Sequence, residues 1–338
     1  MKSQEMNQRP GVFYAVTTDG VELPVVDVTH PAFALTLSSA EQQALVEKFL
    51  QQGVPFGFLP KPLRTRLLQF FLRGSVLAEG IQQAQGSYMS GLHTYLLKLG
   101  PEMLGSVSAK PIDRRIAESL PVLAVRLRLQ DTAQLMADTL VGPLASDRSR
   151  PLHFVNIAGG PAIDSLNTLI LLSKRQGGIL EERPISIDVL DLDDAGPSFG
   201  EAALAALSQQ DGPLRGLLVA FRHIRYHWAQ VAELQRVLRE AEARGAIVIC
   251  SSEGGLFEYG SDEEIEANLR ALRGSANVVG VVGSVTRADE PVQRLRESSS
   301  AATRPRGLAV FRELAREAGW TIARAIERPF SDQVALTR

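Results

Sequence analysis

The chain has 338 residues, 45% of them hydrophobic and 22% charged, and its 36 Lys and Arg against 38 Asp and Glu leave a formal net charge of −2. That length holds one large domain or two ordinary ones, and the charge balance offers no long-range attraction to nucleic acid or an anionic membrane. The lone Cys250 excludes an internal disulfide and a cysteine metal cluster. No run approaches the roughly 18 apolar residues of a membrane span, and the opening "MKSQEMNQRP" lacks the apolar core of a secretory signal, so a cytoplasmic protein is expected.

Residues 1–148 read as a mainly helical region that opens with a short hairpin. "VFYAVTTDGVELPVVDV" places two alternating runs around the turn Asp19-Gly20. "SSAEQQALVEKFL" starts with Ser38 and Glu41 at capping-box spacing, with Leu45 and Phe49 on one helical face. "LRTRLLQFFLRGSVLAEGIQQ" and "VLAVRLRLQDTAQLMADTLVGPL" are further helices between Gly and Pro breakers. The polar link "LASDRSRP" suits a boundary at 148.

Residues 149–338 change rhythm. "LHFVNI", "ISIDVLDL", "LRGLLVAFRHI", "AIVICSS" and "NVVGVVGSV" are short apolar runs with helical patterns between most of them. That alternation predicts an α/β domain with a doubly wound, mostly parallel sheet covered on both faces. At the end "TIARAIERP" and "QVALTR" are two strands joined by "FSD", a connection short enough to require antiparallel pairing at the sheet's edge, for seven strands in all. "RLRESSSAATRPRG" reads as a loop, and the surrounding stretch 287–306 raises the question of a lid.

In an open parallel sheet ligands sit beyond the carboxyl ends of the strands, where the strand order switches. The first strand of the second half ends at Asn156-Ile157, and Ala158, Gly159 and Gly160 form a turn of small residues that lets a ligand approach the backbone. The second strand ends in Asp191 and Leu192, with an acid placed to accept hydrogen bonds from a ribose. Asp193 and Asp194 read first as a helix-capping pair. A dinucleotide site wants G-x-G-x-x-G and amides for a pyrophosphate. "AGGPAIDS" lacks the first and third glycines, and Pro161 removes an amide. S-adenosylmethionine (SAM), which carries no phosphate, suits this turn better than a nicotinamide dinucleotide.

Together with the terminal strand pair, these features make residues 152–338 resemble a class I SAM-dependent methyltransferase, a Rossmann-like methyltransferase fold. Two motifs point to the branch of leucine carboxyl methyltransferases and their bacterial small-molecule relatives. "RLRLQD" is similar to that branch's R-x-R-x-x-D pattern and offers Arg126 and Asp131; "SSEGGLFEYGSDEEI" is similar to its element after the fourth strand and offers Glu253, Gly254, Leu256 and Tyr259. The glycine motif departs from that branch's usual "NLGAGFDT". The resemblance implies SAM as cofactor, contacted by Asn156, Ala158, Gly159, Gly160, Asp191, Leu192, Arg126 and Glu253. Arg126 would clamp the cofactor's carboxylate, with Arg128 as competitor for that role.

"FRHIRYHW", at the end of the third strand of the second half, gathers His223, Arg225, Tyr226, His227 and Trp228. His223, His227 and Glu253 are the candidate bases if the acceptor needs one. In the first half, "GSYMSGLHTYLLKLGPEM" offers Tyr88 and His93 as substrate contacts, with Tyr259 from the second half. The histidines have no H-x-x-x-H or H-E-x-x-H spacing and no cysteine partners, so no metal is assigned. The resulting expectation is methyl transfer to a small-molecule oxygen, nitrogen or carboxylate, in a pocket capped by residues 1–148. A homodimer is compatible with it; nucleic acid and membrane are not expected as partners. The alternatives are an NAD oxidoreductase and a SAM-fold binding or assembly module without methyl transfer.

Overall fold

The computed structural model describes residues 9–52, 74–83, 88–104, 110–176, 178–298 and 302–338. Around Asp19-Gly20, strands β1 (Tyr14–Val16) and β2 (Glu22–Pro24) pair antiparallel with Ala15 opposite Leu23. Helix α1 (Ser39–Gln51) begins with the expected box: Ser38 Oγ accepts from the Glu41 amide, and the Glu41 carboxylate accepts from the Ser38 amide. The helix expected over "LRTRLLQFFLR" lies outside the described residues; the next described helix is α2 (Val76–Gln83). Then come α3 (Gly91–Lys98), capped by Ser90, the short α4 (Gly100–Leu104) and α5 (Pro111–Ala117), and the 27-residue α6 (Leu120–Ser146).

The second half runs β3 (Leu152–Ile157), α7 (Ile163–Arg175), β4 (Ile185–Asp191), α8 (Ala195–Leu207), β5 (Val219–Arg225), α9 (Ala232–Ala243) and β6 (Ile247–Ser252). After it come α10 (Leu256–Tyr259), α11 (Asp262–Gly274), β7 (Val278–Thr286), α12 (Glu290–Ser298), α13 (Gly307–Glu317), β8 (Thr321–Glu327) and β9 (Ser331–Thr337). The seven strands lie in the order β5-β4-β3-β6-β7-β9-β8. The first five are parallel, and β9 enters antiparallel between β7 and β8. Every residue of β3 and β6 is buried, which is why both read as near-continuous apolar runs despite His153, Asn156 and the two serines that end β6. The sheet is the expected doubly wound, mostly parallel one of seven strands. It differs from the all-parallel dinucleotide order, 3-2-1-4-5-6, by the inserted last strand.

Two local expectations change. "LRGLL" does not open β5: Leu218 is 63% exposed and the strand starts at Val219, because β5 is the edge strand and only part of it is covered. The expected loop "RLRESSSAATRPRG" begins as helix through Ser298, since Val292 and Leu295, one turn apart, pack into a cluster with Phe49, Leu120 and Phe330.

One face of the sheet shares a core with the N-terminal region: Phe154, Ile187 and Leu166 join Leu23, Tyr95 and Leu140. Buried polar contacts fix that union. Tyr95 donates to the Pro24 carbonyl at 2.5 Å, and the Asn167 side chain accepts from the Val28 amide and donates to the Val26 carbonyl. The other face packs on α9, α11 and α13 through Leu238, Leu269 and Phe311. Among the described residues no helix is long and apolar enough to cross a membrane. The strand order reverses at β3, which places a crevice at the carboxyl ends of β3, β4 and β6.

Candidate functional site

A cleft opens at that switch point. It has ≈ 690 Å³ of empty space, mouth included. Of the residues expected to contact cofactor or substrate, Ala158, Gly159, Gly160, Asp191, Leu192, Glu253, Tyr88 and Tyr259 line it, together with Arg128, Asp193, Tyr226, Trp228 and Gly254.

The turn after β3 is tightly wound: Ala158, Gly160 and Ala162 all have positive φ, at 53°, 52° and 50°. For the two alanines that conformation is strained, and such strain gathers at binding sites. The small residues expected to admit a ligand also admit this chain itself. A Cβ on Gly160 would lie 2.6 Å from the Cα of Gly91, and one on Gly196 2.8 Å from the Cα of Gly160. The starts of α3 and α8 therefore rest on the turn. Beneath it, Asn156 is fully buried and off the cleft wall, donating to Asp164 at 2.7 Å. Burial, then the charge of Glu253, holds the Asp164 carboxyl above its ordinary value.

Asp191 is fastened to the same turn. Its carboxylate accepts from the Gly160 amide and from the Asp193 amide, each at 2.9 Å. Burial nonetheless holds its carboxyl above the ordinary range. Each oxygen keeps acceptor capacity for one more donor. Asp193 precedes α8, whose N-cap is Asp194 with no side-chain cap hydrogen bond; Asp193 Oδ1 accepts from the Ala195 amide across the turn, while its buried Oδ2 has no partner among the described residues. The expected capping pair is therefore not formed: Asp194 makes no cap bond, and Asp193 makes only the turn contact.

The opposite wall comes from the N-terminal helices. Gly91, Thr94 and Lys98 lie on one face of α3 and line the cleft. Lys98 Nζ pairs with Glu253 Oε2, the two side chains only 4% and 6% exposed. Arg128, from α6, donates to Glu253 Oε1 at 3.0 Å and to Glu258 Oε1 at 2.9 Å. Burial pushes the Glu253 carboxyl up, but Lys98 and Arg128 pull it further down, below the ordinary carboxylate range. A carboxylate locked between two cations has little affinity for a proton, so this geometry favours Glu253 as a counter-ion and not as a base. No motif in the sequence marks Lys98; its i+7 spacing from Gly91 is the signal that places it on the same face.

Three rings border the cleft: Tyr88 lies edge-on to Trp228, centroids 5.9 Å apart, and to Tyr259 at 6.3 Å. Burial, with the charge of Glu258 beside it, raises the Tyr259 phenol and keeps it protonated.

Arg126, His93, His223 and His227 are not brought to this wall. Arg126 sits two residues before Arg128, about 200° around α6, and lines a separate cleft with Arg9, His30 and Glu102. His93 turns off the Gly91–Lys98 face, with its Nδ1 against Ser90 Oγ at 2.8 Å. His223 contacts the Asp191 carbonyl at 3.0 Å from behind, and the exposed His227 accepts from the Ala229 amide. Of the five histidines, His30 and His153 are also engaged elsewhere, the latter buried against Asp188 at 3.0 Å.

No known family model matches the chain, and no curated protein does. Among solved structures, the mitomycin 7-O-methyltransferase MmcR is 13% identical over 97% of this chain and 80% of its own, with a TM-score of 0.38. The N,N-8-amino-8-demethyl-D-riboflavin dimethyltransferase RosA from Streptomyces davawensis is 14% identical over 86% and 76%, also at 0.38. CalO1, a methyltransferase in calicheamicin biosynthesis in its S-adenosylhomocysteine-bound form, is 13% identical over 83% and 73%, at 0.36.

Proposed function

We propose that the chain is a SAM-dependent methyltransferase acting on a small molecule. The observation that carries this reading is the cleft at the switch point, where a strained turn without a pyrophosphate cradle meets two acids. The residues fit the cofactor. The spare acceptor capacity of Asp191 and the unpartnered Oδ2 of Asp193 suit the two ribose hydroxyls, and Ala158 and Gly159 allow a close approach. When bound, SAM supplies an activated methyl group. This chain's residues then orient the two reactants and exclude water, and positioning of that kind can lower a barrier by several kcal/mol.

The Tyr88–Gly91 segment, with Gly91 packed on Gly160, covers one side of the cleft. That cover supports a small acceptor over a protein tail. The inserted β9 and the missing amide of Pro161 weigh against a nicotinamide dinucleotide. Arg126, the residue most typical of the leucine carboxyl branch, lies outside the cleft, so that narrower assignment is not adopted.

Calorimetry with SAM, S-adenosylhomocysteine and NADH tests the reading. The expected result is binding of the first two, with Asp193→Asn and Asp191→Ala each weakening it about tenfold or more. NADH binding in their place would overturn it.

A further inference from the structure

Arg126 marks a second cleft, turned about 200° around α6 from Arg128 and holding ≈ 950 Å³ of empty space, mouth included. The ionisable groups that line it are Arg9, His30, Glu102 and Arg126. Glu102 is committed to Arg9, its Oε2 accepting from Nη1 at 3.2 Å. His30 is engaged at both ring nitrogens, Nδ1 accepting from the Ala32 amide and Nε2 meeting the Pro10 carbonyl, each at 3.2 Å. The rest of the lining is Leu99, Gly100, prolines and alanines.

Among these groups Arg126 alone is left without a partner. The three buried arginines, Arg128, Arg183 and Arg306, each donate to two or more acceptors. Arg126 is half-buried, its Nε is fully shut off from solvent, and that nitrogen has no acceptor among the described residues. Burial pulls the guanidinium below its ordinary value, and the charge of Glu102 only partly opposes this. Unsatisfied donors in a wall cost free energy until an acceptor meets them. The backbone makes room for the group: a Cβ on Gly100, whose φ is 75°, would lie 2.7 Å from Arg126 Cζ.

We infer that this second cleft binds a small organic monocarboxylate, with Arg126 as its anchor. A planar guanidinium offers paired N–H donors that match the two oxygens of a carboxylate. The charges agree: Arg9 and Arg126 against Glu102 leave one positive charge, which one carboxylate neutralises and a phosphate dianion would exceed. The proline, alanine and leucine lining suits a short apolar body behind the carboxylate. The site lies outside the cleft proposed for the cofactor and does not rest on that reading. The two clefts share their supports, since Leu99 and Gly100 directly follow Lys98, and Arg126 and Arg128 both belong to α6.

The test is an NMR titration of the full chain that follows backbone amides, with butyrate as the probe, butyramide as its uncharged counterpart and inorganic phosphate as the competing anion. Butyrate is expected to shift the amides of Ala32, Ala34 and Gly100 saturably and to bind about tenfold more tightly than butyramide. Arg126→Met is expected to abolish that preference. Arg126→Lys, which keeps the charge and loses the fork, should weaken butyrate severalfold, and Glu102→Gln, which removes the resident carboxylate, should tighten it. Equal binding of butyrate and butyramide, tighter binding of phosphate, or a butyrate preference that survives Arg126→Met would overturn the inference. Displacement of butyrate by S-adenosylhomocysteine would overturn it too, by making Arg126 a clamp for the cofactor's carboxylate, and would leave the methyltransferase reading standing.

Discussion

On the sheet side of the cleft Asp191 is held by backbone amides of the turn it supports, whereas on the helical side Glu253 is held by charged side chains from α3 and α6. The first arrangement is a consequence of topology: any chain that folds β3 and β4 side by side brings those amides to that acid. The second depends on residues more than a hundred positions apart finding each other in a buried space. The sheet side is therefore set by the topology, and the helical side by buried charges particular to this chain.

The largest effect expected from breaking this contrast is at Glu253. Glu253→Ala leaves Lys98 and Arg128 buried with only Glu258 between them, a loss of about 3–5 kcal/mol by analogy with other broken buried pairs. Asp191→Asn keeps one oxygen for an amide and should cost about 1–3 kcal/mol. Denaturant midpoints of the two variants check the order. The double variant Lys98→Met with Glu253→Leu should recover part of the loss, because it removes one charge of each sign. If Asp191→Asn proves the more damaging, the helical wall is not the charge-dependent one.

Gly91 joins the two walls. A Cβ there would lie 2.5 Å from the Gly160 Cα, a backbone atom that cannot swing aside. Gly91→Ala should cost about 1–3 kcal/mol by overpacking. The effect should be local: amide exchange should quicken across Ser90–Lys98 while β3 and β6 stay protected. Uniform loss of protection would mean that the two walls unfold as one and that the contrast is only geometric.

The difference between the walls also explains what can be read from the sequence. Strands β3, β4, β6 and β7, the terminal hairpin and the turn at Ala158–Gly160 are legible because burial on both faces writes continuous apolar runs, and a tight turn demands small residues. Asp191 is legible from its place at a strand's end. Lys98 and the pairing of Arg128 with Glu253 are not, since they depend on how α3 and α6 cross the sheet, and no local pattern records a crossing. Arg126 and Arg128 look alike in "RLRLQD"; the angle between them around α6 decides which one reaches the cleft. Asp193 reads as a cap, but it makes only a turn contact to the Ala195 amide with one oxygen, and the other has no partner among the described residues.

The smallest effect compares two capping boxes of the same chemistry, one in each region. Ser261 and Glu264 start α11, which buries Ile265, Leu269 and Leu272 and whose Asn268 accepts from Tyr226 and donates to the Trp228 carbonyl. Glu264 also accepts from the Trp228 indole at 3.1 Å, so the cap is tied to an aromatic wall of the cleft. Ser38 and Glu41 start α1, which has no buried residue. Ser261→Ala should therefore lower global stability by about 1 kcal/mol, read as a shifted denaturant midpoint, while Ser38→Ala should fray α1 and leave the main transition where it is. The cap is the same in both places; what differs is whether the helix behind it is coupled to the core. A shift from Ser38→Ala as large as that from Ser261→Ala would show that α1 is part of the cooperative unit, held there through the cluster of Phe49, Leu120 and Phe330.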